Sequence, residues 1–229
     1  MPKAKVLIVE DDRSLAEILD YNLKREGYEV IRAHDGRDGV TQAQLKLPEI
    51  IILDVMLPII DVIEVCRQLR SHPDTKNLLV MMLTAKSEEA DQLIGFSVGA
   101  DDYVVKPFSV RVLLERLKAL RRRTEDHVDT SGDIVSVLNV TVDRRRYRAM
   151  IDNEPIELTK SEFRLLDTLI RQPGRAFDRS ELIDAALGGD TLVLIRTIDV
   201  HIRALRHKMG AAADLIETVR GVGYRFREA

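Results

Sequence analysis

Within the first 123 residues, short apolar runs alternate five times with stretches of helical periodicity, and this alternation restricts the fold more than any other feature. Val6 to Val9 reads as a buried strand. Ser14 then opens a segment that sets Leu15, Ile18, Leu19 and Leu23 on one helical face, and Gly27 stops it. The same pairing recurs as strand Tyr28 to Arg32 with helix Arg37 to Lys46, and as strand Ile50 to Leu53 with helix Asp61 to Arg70. It recurs again as strand Leu79 to Leu83 with helix Glu88 to Val98, and as strand Tyr103 to Val105 with helix Val110 to Arg123. The run Ile50 to Leu53 has no polar residue, as a strand covered on both faces requires. Five βα units in series predict a parallel sheet with helices on both sides. In such sheets functional groups collect beyond the carboxyl ends of the strands.

The pattern changes after Arg123. Residues 124–133 are polar, lack periodicity and contain Ser131-Gly132, so they read as a linker. Residues 134–229 begin with short β-rich stretches (Val135 to Leu138, Val140 to Asp143, Tyr147 to Ile151, Ile156 to Leu158). Three helical segments follow, and Ile216 to Phe226 closes the chain as a hairpin around Gly221 and Gly223. Strands, then helices, then a hairpin describe a second domain, of α+β class. A chain of 229 residues with 45% hydrophobic and 32% charged residues can give each domain its own core. Its one cysteine, Cys66, excludes an intrachain disulfide and points to a reducing compartment. The first apolar run is too short for a signal peptide or membrane span, so a cytoplasmic protein with no membrane association is expected. With a net charge of only -3, any nucleic-acid site must come from local clusters of Arg and Lys.

Glu10, Asp11 and Asp12 follow the first strand, and Asp54 follows the third. Converging carboxylates repel one another, and a divalent cation relieves the repulsion; hard oxygen donors of this kind suit Mg²⁺. Thr84 ends the fourth strand and Lys106 the fifth. A hydroxyl and an ammonium beside an aspartate–metal centre are the parts of a phosphoryl-handling site: Asp54 as nucleophile, Lys106 and Mg²⁺ neutralising oxygens, Thr84 donating a hydrogen bond. Lys106 precedes Pro107, a bond that can be cis and could aim the lysine inward.

Val-Glu-Asp-Asp at 9–12, Leu-Asp-Val-Met-Leu-Pro at 53–58, Leu-Thr-Ala at 83–85 and Gly-Ala-Asp-Asp-Tyr-Val-Val-Lys-Pro-Phe at 99–108 resemble the receiver domain of two-component response regulators. The resemblance implies a flavodoxin-like (βα)5 receiver over residues 1–123, with Asp54 phosphorylated by a sensor histidine kinase. It implies Mg²⁺ held by Asp11, Asp54 and the Met56 carbonyl, with Glu10 acting through water, and a switch pair formed by Thr84 and Tyr103. Relatives carry glycines where this chain has Ile59 and Val62. Because β-branched residues resist the backbone conformations open to glycine, slower or altered phosphorylation, or a shifted loop, is expected here.

Leu194 to Met209 carries a second message. Ile198, Ile202, Leu205 and Met209 form an apolar stripe; Arg196, Val200, Arg203 and His207 form an outward one, flanked by Thr197, His201, Arg206 and Lys208. Arg196, Arg203, Arg206 and Lys208 on one short helix suit a major groove lined by phosphates. Together with Leu158 to Leu166, where Thr159 or Ser161 can cap a helix, Pro173-Gly174-Arg175, and Thr218 to Phe226, this helix resembles the winged helix-turn-helix effector domain of the OmpR/PhoB subfamily. By that resemblance the third helix enters the major groove of double-stranded DNA, Arg220 at the hairpin tip reaches a narrow minor groove, and Thr218 binds phosphate. The resemblance further implies RNA polymerase as a partner, through a loop near Gly188 to Leu194. It also implies a homodimer of activated receivers, with pairs Asp102–Arg116 and Asp101–Arg123 between subunits. Gln92 and Val112 replace a third such pair. Ala204 stands where relatives often have a second arginine, and their tryptophan is absent, which leaves the DNA sequence and the polymerase contact open.

The residues therefore predict a phosphorylation-controlled transcription regulator and no enzyme. The alternative is a degenerate receiver whose effector binds DNA without phosphorylation. An aspartate-nucleophile phosphatase stands third, since Met56 occupies the place where that class carries a second aspartate.

Overall fold

The computed structural model describes residues 4–85, 99–125, 133–187 and 197–228. The expected helix Glu88 to Val98 lies outside them. The chain divides into two compact units, Met1–Lys118 and Ala119–Ala229, a division that falls inside the helix Val110–Glu125.

The first unit is built on five parallel strands: β1 (Lys5–Val9), β2 (Glu29–Ala33), β3 (Ile50–Asp54), β4 (Leu79–Ala85) and β5 (Asp102–Lys106). Their order across the sheet is β2-β1-β3-β4-β5. Every residue of β3 is buried, as its all-apolar run demands at the centre of a covered sheet; each such side chain contributes about 1.5–3 kcal/mol by leaving water. Among the described residues its helices are α1 (Arg13–Arg25), α2 (Gly36–Lys46), α3 (Val62–Ser71) and α4 (Val110–Glu125). Asp12, Asp35 and Asp61 cap the first three, each accepting backbone N–H groups that the first turn leaves unpaired.

The loop after β3 contains the departure noted in the sequence. Ile59 adopts a φ of +77°, in a region that β-branched residues resist at a cost of about 1–3 kcal/mol. Its neighbour Ile60 packs over the start of α2, where a Cβ added to Gly36 would lie 2.7 Å from Ile60 Cγ1. Glycine at position 36 thus admits the side chain that anchors the loop. Val62 needs no such freedom, because it is the first residue of α3 and is buried.

The second unit carries an antiparallel sheet, β6 (Ile134–Val137), β7 (Val140–Asp143), β8 (Arg148–Ile151) and β9 (Glu154–Ile156), in sequential order. Among the described residues three α-helices follow: α5 (Lys160–Ile170), α6 (Arg179–Leu187) and α7 (Thr197–Met209). Thr159 caps α5 in a reciprocal box with Glu162. The terminal hairpin is β11 (Ile216–Val219) with β12 (Gly223–Phe226), and β10 (Phe177–Asp178) joins it as a third strand. Sequence reading missed β10, since two residues carry no periodicity. Gly223 permits the approach, because a Cβ there would meet the Phe177 carbonyl oxygen at 2.2 Å.

Arg70 fastens α3 to the sheet. Its Nη1 donates to the carbonyls of Lys76 at 2.9 Å and Leu78 at 2.6 Å. Its Nη2 donates to the Gly99 carbonyl and to Asp101 Oδ2, and that oxygen also accepts the Val80 N–H. Asp101 is therefore buried and bonded inside its own unit, so a pairing between subunits would have to break that bond. Arg70→Met should destabilise the first unit by about 3 kcal/mol, because it strands a buried carboxylate. Urea unfolding checks this, and a loss below about 1 kcal/mol would show that the pair is dispensable.

Candidate functional site

The carboxyl edge of the parallel sheet gathers the acidic residues. Strand β1 pairs with β3 so that Val9 lies opposite Leu53, and β4 pairs with β3 so that Leu83 lies opposite Asp54. Glu10 and Asp54 thereby emerge side by side, both buried. Lys106, from the edge strand β5, reaches across: its Nζ lies 2.9 Å from Glu10 Oε2 and 2.9 Å from Asp54 Oδ2. The Met56 N–H donates to Asp54 Oδ1 at 3.2 Å, and the Met56 side chain is exposed. Asp11 is exposed, and carboxylate oxygens of Glu10, Asp11 and Asp54 come within 4.8 Å of one another. Asp12 is excluded from this group, because its carboxylate caps α1 on the Ser14 and Leu15 N–H groups. The Lys106-Pro107 bond is cis.

The electrostatics follow from this crowding. Burial, reinforced by the neighbouring charge of Asp54, pushes the Glu10 carboxyl up to about 7, even though it bonds Lys106. Burial pulls the Lys106 ammonium down, but its bonds to Asp54 and Glu10 outweigh that and leave it above its ordinary range. Three carboxylates and one ammonium leave an excess of two negative charges when all are ionised. The donor set consists of hard oxygens, and it fits a divalent cation such as Mg²⁺. Thr84 and Tyr103 are both buried. Tyr103 lies opposite Met82 and Val105 opposite Thr84, so the two side chains share one face of the sheet as diagonal neighbours. Burial holds the Tyr103 hydroxyl well above its usual range.

In the second unit, α7 buries Ile198, Ile202, Leu205 and Met209, the stripe that its periodicity predicts. Arg203 and His207 are exposed on the outer face, and Val200 is half-buried. Arg220 is exposed at the hairpin tip, with Thr218 exposed on β11.

Comparison with known proteins decides what these two sites belong to. Residues 6–118 match the response regulator receiver domain family, and residues 153–226 match the family "Transcriptional regulatory protein, C terminal". The phosphate regulon transcriptional regulatory protein PhoB of Rhizobium meliloti (strain 1021) is 42% identical over 96% of this chain and 97% of its own length. The chain belongs to the OmpR/PhoB family of response regulators. The alkaline phosphatase synthesis transcriptional regulatory protein PhoP of Bacillus subtilis (strain 168) is 40% identical, over 98% of this chain and 97% of its own. Among solved structures, a mutant form of RitR superposes with a TM-score of 0.77 at 25% identity, covering 99% of this chain and 100% of that one. PhoB and PhoP are transcriptional regulatory proteins, and this response regulator is a transcriptional regulator of their family rather than an enzyme. No helix among the described residues is long and apolar enough to cross a membrane.

Several residues expected at the interfaces of this response regulator sit elsewhere. His201 is buried, at 1% exposure, and so cannot reach a groove from the folded helix. Arg206 is turned onto the hairpin, donating to the Ile216 carbonyl at 2.6 Å and to Thr218 Oγ1 at 2.9 Å. Lys208 Nζ lies 2.6 Å from Glu162 Oε2, the same oxygen that accepts the Thr159 N–H in the α5 cap. Asp102 is buried and pairs with Arg116 of its own chain at 3.1 Å, so a pairing between subunits would have to break that bond. Arg196 and the loop 188–194 lie outside the described residues, as do the side chains of Thr197 and Arg123. Sequence reading missed the group Arg179, Asp199 and Tyr224. Its only signal is an acid, Asp199, among the cations of α7.

Two outcomes follow for this response regulator. Unfolded Glu10 ionises near 4.5 and folded Glu10 near 7, so the folded state holds the extra proton between those values. The stability that Glu10 contributes is full below the lower value and lost as pH rises through the higher. In a chelator, the urea midpoint should fall across that window; Glu10→Gln or added Mg²⁺ should flatten the slope. A slope unchanged in Glu10→Gln would assign it to another group. Lys208→Met should cost about 1–2 kcal/mol of stability, allowing for partial solvent screening. It should leave the salt dependence of DNA binding unaltered, whereas loss of a phosphate contact would reduce the slope by about one.

Proposed function

We propose that this response regulator accepts a phosphoryl group on Asp54 from a sensor histidine kinase and, once phosphorylated, dimerises and binds promoter DNA. The observation that carries this is the Glu10–Lys106–Asp54 arrangement, in which both bonds measure 2.9 Å. An Asp54 oxygen forms the bond to phosphorus as the bond to the kinase's phosphohistidine nitrogen breaks. Asp11, Asp54 and the Met56 carbonyl would hold Mg²⁺, with Glu10 acting through water. When bound, Mg²⁺ supplies positive charge against the transferring oxygens. Lys106 neutralises a further phosphoryl oxygen once its carboxylate partners are otherwise satisfied, and Thr84 donates to another. Inward movement of Thr84, with Tyr103 following on the same sheet face, carries the signal toward β5 and α4.

Residues 124–133 then serve as the linker between a receiver at 1–123 and an effector at 134–229. The dimer face comprises β5 and α4, where Val112 is exposed. Arg203 and His207 face the major groove and Arg220 the minor groove, with RNA polymerase as a further partner. Among the described residues, the side chains of Arg203, His207 and Arg220 make no ion pair, which leaves them available to phosphates and bases. The alternative, DNA binding without phosphorylation, has less support, because Glu10, Asp11, Asp54 and Lys106 come together in one pocket.

Incubation with acetyl phosphate and Mg²⁺ should label the wild type, while Asp54→Asn should take up no label. Gel-shift titration against duplexes selected from a random pool should show tighter binding after labelling and no response in Asp54→Asn. Equal affinities with and without the donor would sink the phosphorylation-controlled reading.

A further inference from the structure

A carboxylate in the first turn of a helix that faces DNA phosphates is electrostatically out of place, and the structure gives Asp199 specific internal partners. Asp199 Oδ1 accepts Arg179 Nε at 2.9 Å and the Tyr224 hydroxyl at 2.7 Å. Arg179 also donates from Nη1 to the Val222 carbonyl in the hairpin turn, at 3.2 Å. The Tyr224 ring lies 5.4 Å from the Arg179 guanidinium and 5.5 Å from that of Arg206, within cation–π range. Arg206 in turn holds Ile216 and Thr218, and Thr218 lies opposite Tyr224 in the hairpin. Three elements meet at one carboxylate oxygen: the first residue of α6, the first turn of α7, and β12. Burial, and then the bond to Asp199, raises the Tyr224 hydroxyl above its ordinary range, so it stays a donor.

We propose that Arg179, Asp199 and Tyr224 form a clasp that fixes the hairpin against the start of α7, so that both groove contacts are made at one set spacing. The three act as positioning residues. Arg206 closes the other side of the same clasp and is not a base-reading group. Asp199 has a second effect: it occupies the Arg179 guanidinium, which would otherwise be free to neutralise a phosphate. The clasp therefore favours the cognate site twice, by setting geometry and by withholding a cation from non-specific binding. This rests on the reading that α7 and the hairpin tip meet DNA.

The test uses the full-length chain, a duplex that the wild type selects from a random pool, and an unselected duplex from the same pool. Tyr224→Phe keeps the ring and removes one hydrogen bond. It should lower cognate affinity about tenfold, leave non-cognate affinity unchanged, and keep the salt slope, since no cation is lost. Asp199→Asn should tighten non-cognate binding and steepen its salt slope by about one unit, as Arg179 becomes available to phosphate. A purely structural role would not steepen that slope. Thermal unfolding run alongside identifies a variant that fails to fold. Wild-type discrimination and slopes in both folded variants would overturn the clasp, as would an equal loss on both duplexes. Arg203→Ala and Arg220→Ala should weaken binding in the same assay. If both instead bind as the wild type does, the DNA-contact reading beneath the clasp has failed.

Discussion

Two carboxylates removed from water at the end of a parallel sheet cannot both stay charged without compensation, and the receiver is organised around supplying it. Glu10 and Asp54 are brought together by strand pairing, and their partner is an ammonium that arrives from the edge strand β5. With one ammonium against three acids, the pocket relieves itself either by holding a proton on Glu10 or by taking up a cation. The same imbalance makes the site responsive, because anything that changes charge there alters the hold on Lys106. Thr84 and Tyr103 lie on the two strands beyond β3 and share one face of the sheet.

The all-buried β3 carries Asp54 at its end, while at the opposite, amino-terminal edge of the sheet Arg70 ties α3 to the segments that precede β4 and β5. The loop leaving Asp54 is held differently. Ile59 keeps a left-handed backbone that its side chain opposes, and Ile60 packs over Gly36 to secure it. With no glycine at position 59, this chain relies on packing to hold the loop.

The effector domain meets a related problem in reverse. The outer face of α7 is rich in cations, and uncommitted cations attract any duplex whatever its sequence. Of the basic residues on α7, Arg206 and Lys208 are tied to internal acceptors, while Arg203 remains open. Internal pairing thus reduces the cations offered to phosphate, which limits the part of affinity that carries no sequence information.

Much of this was readable without coordinates. Alternating apolar runs and helical periods define a parallel sheet because backbone pairing and side-chain burial repeat at fixed intervals. Strand ends follow from the same pattern, and so does the gathering of Glu10, Asp54 and Lys106. The fate of individual polar side chains was not readable. Asp11 and Asp12 are neighbours of one type, and only the position of the α1 N-terminus makes one a cap and leaves the other in the pocket. Asp101, Asp102, His201, Arg206 and Lys208 look like surface groups by spacing. Each is claimed by a partner distant in sequence, or by burial, because a side chain's bonds depend on which elements pack against it. Periodicity within one element says which face a residue occupies. Only the packed structure decides what lies across from that face.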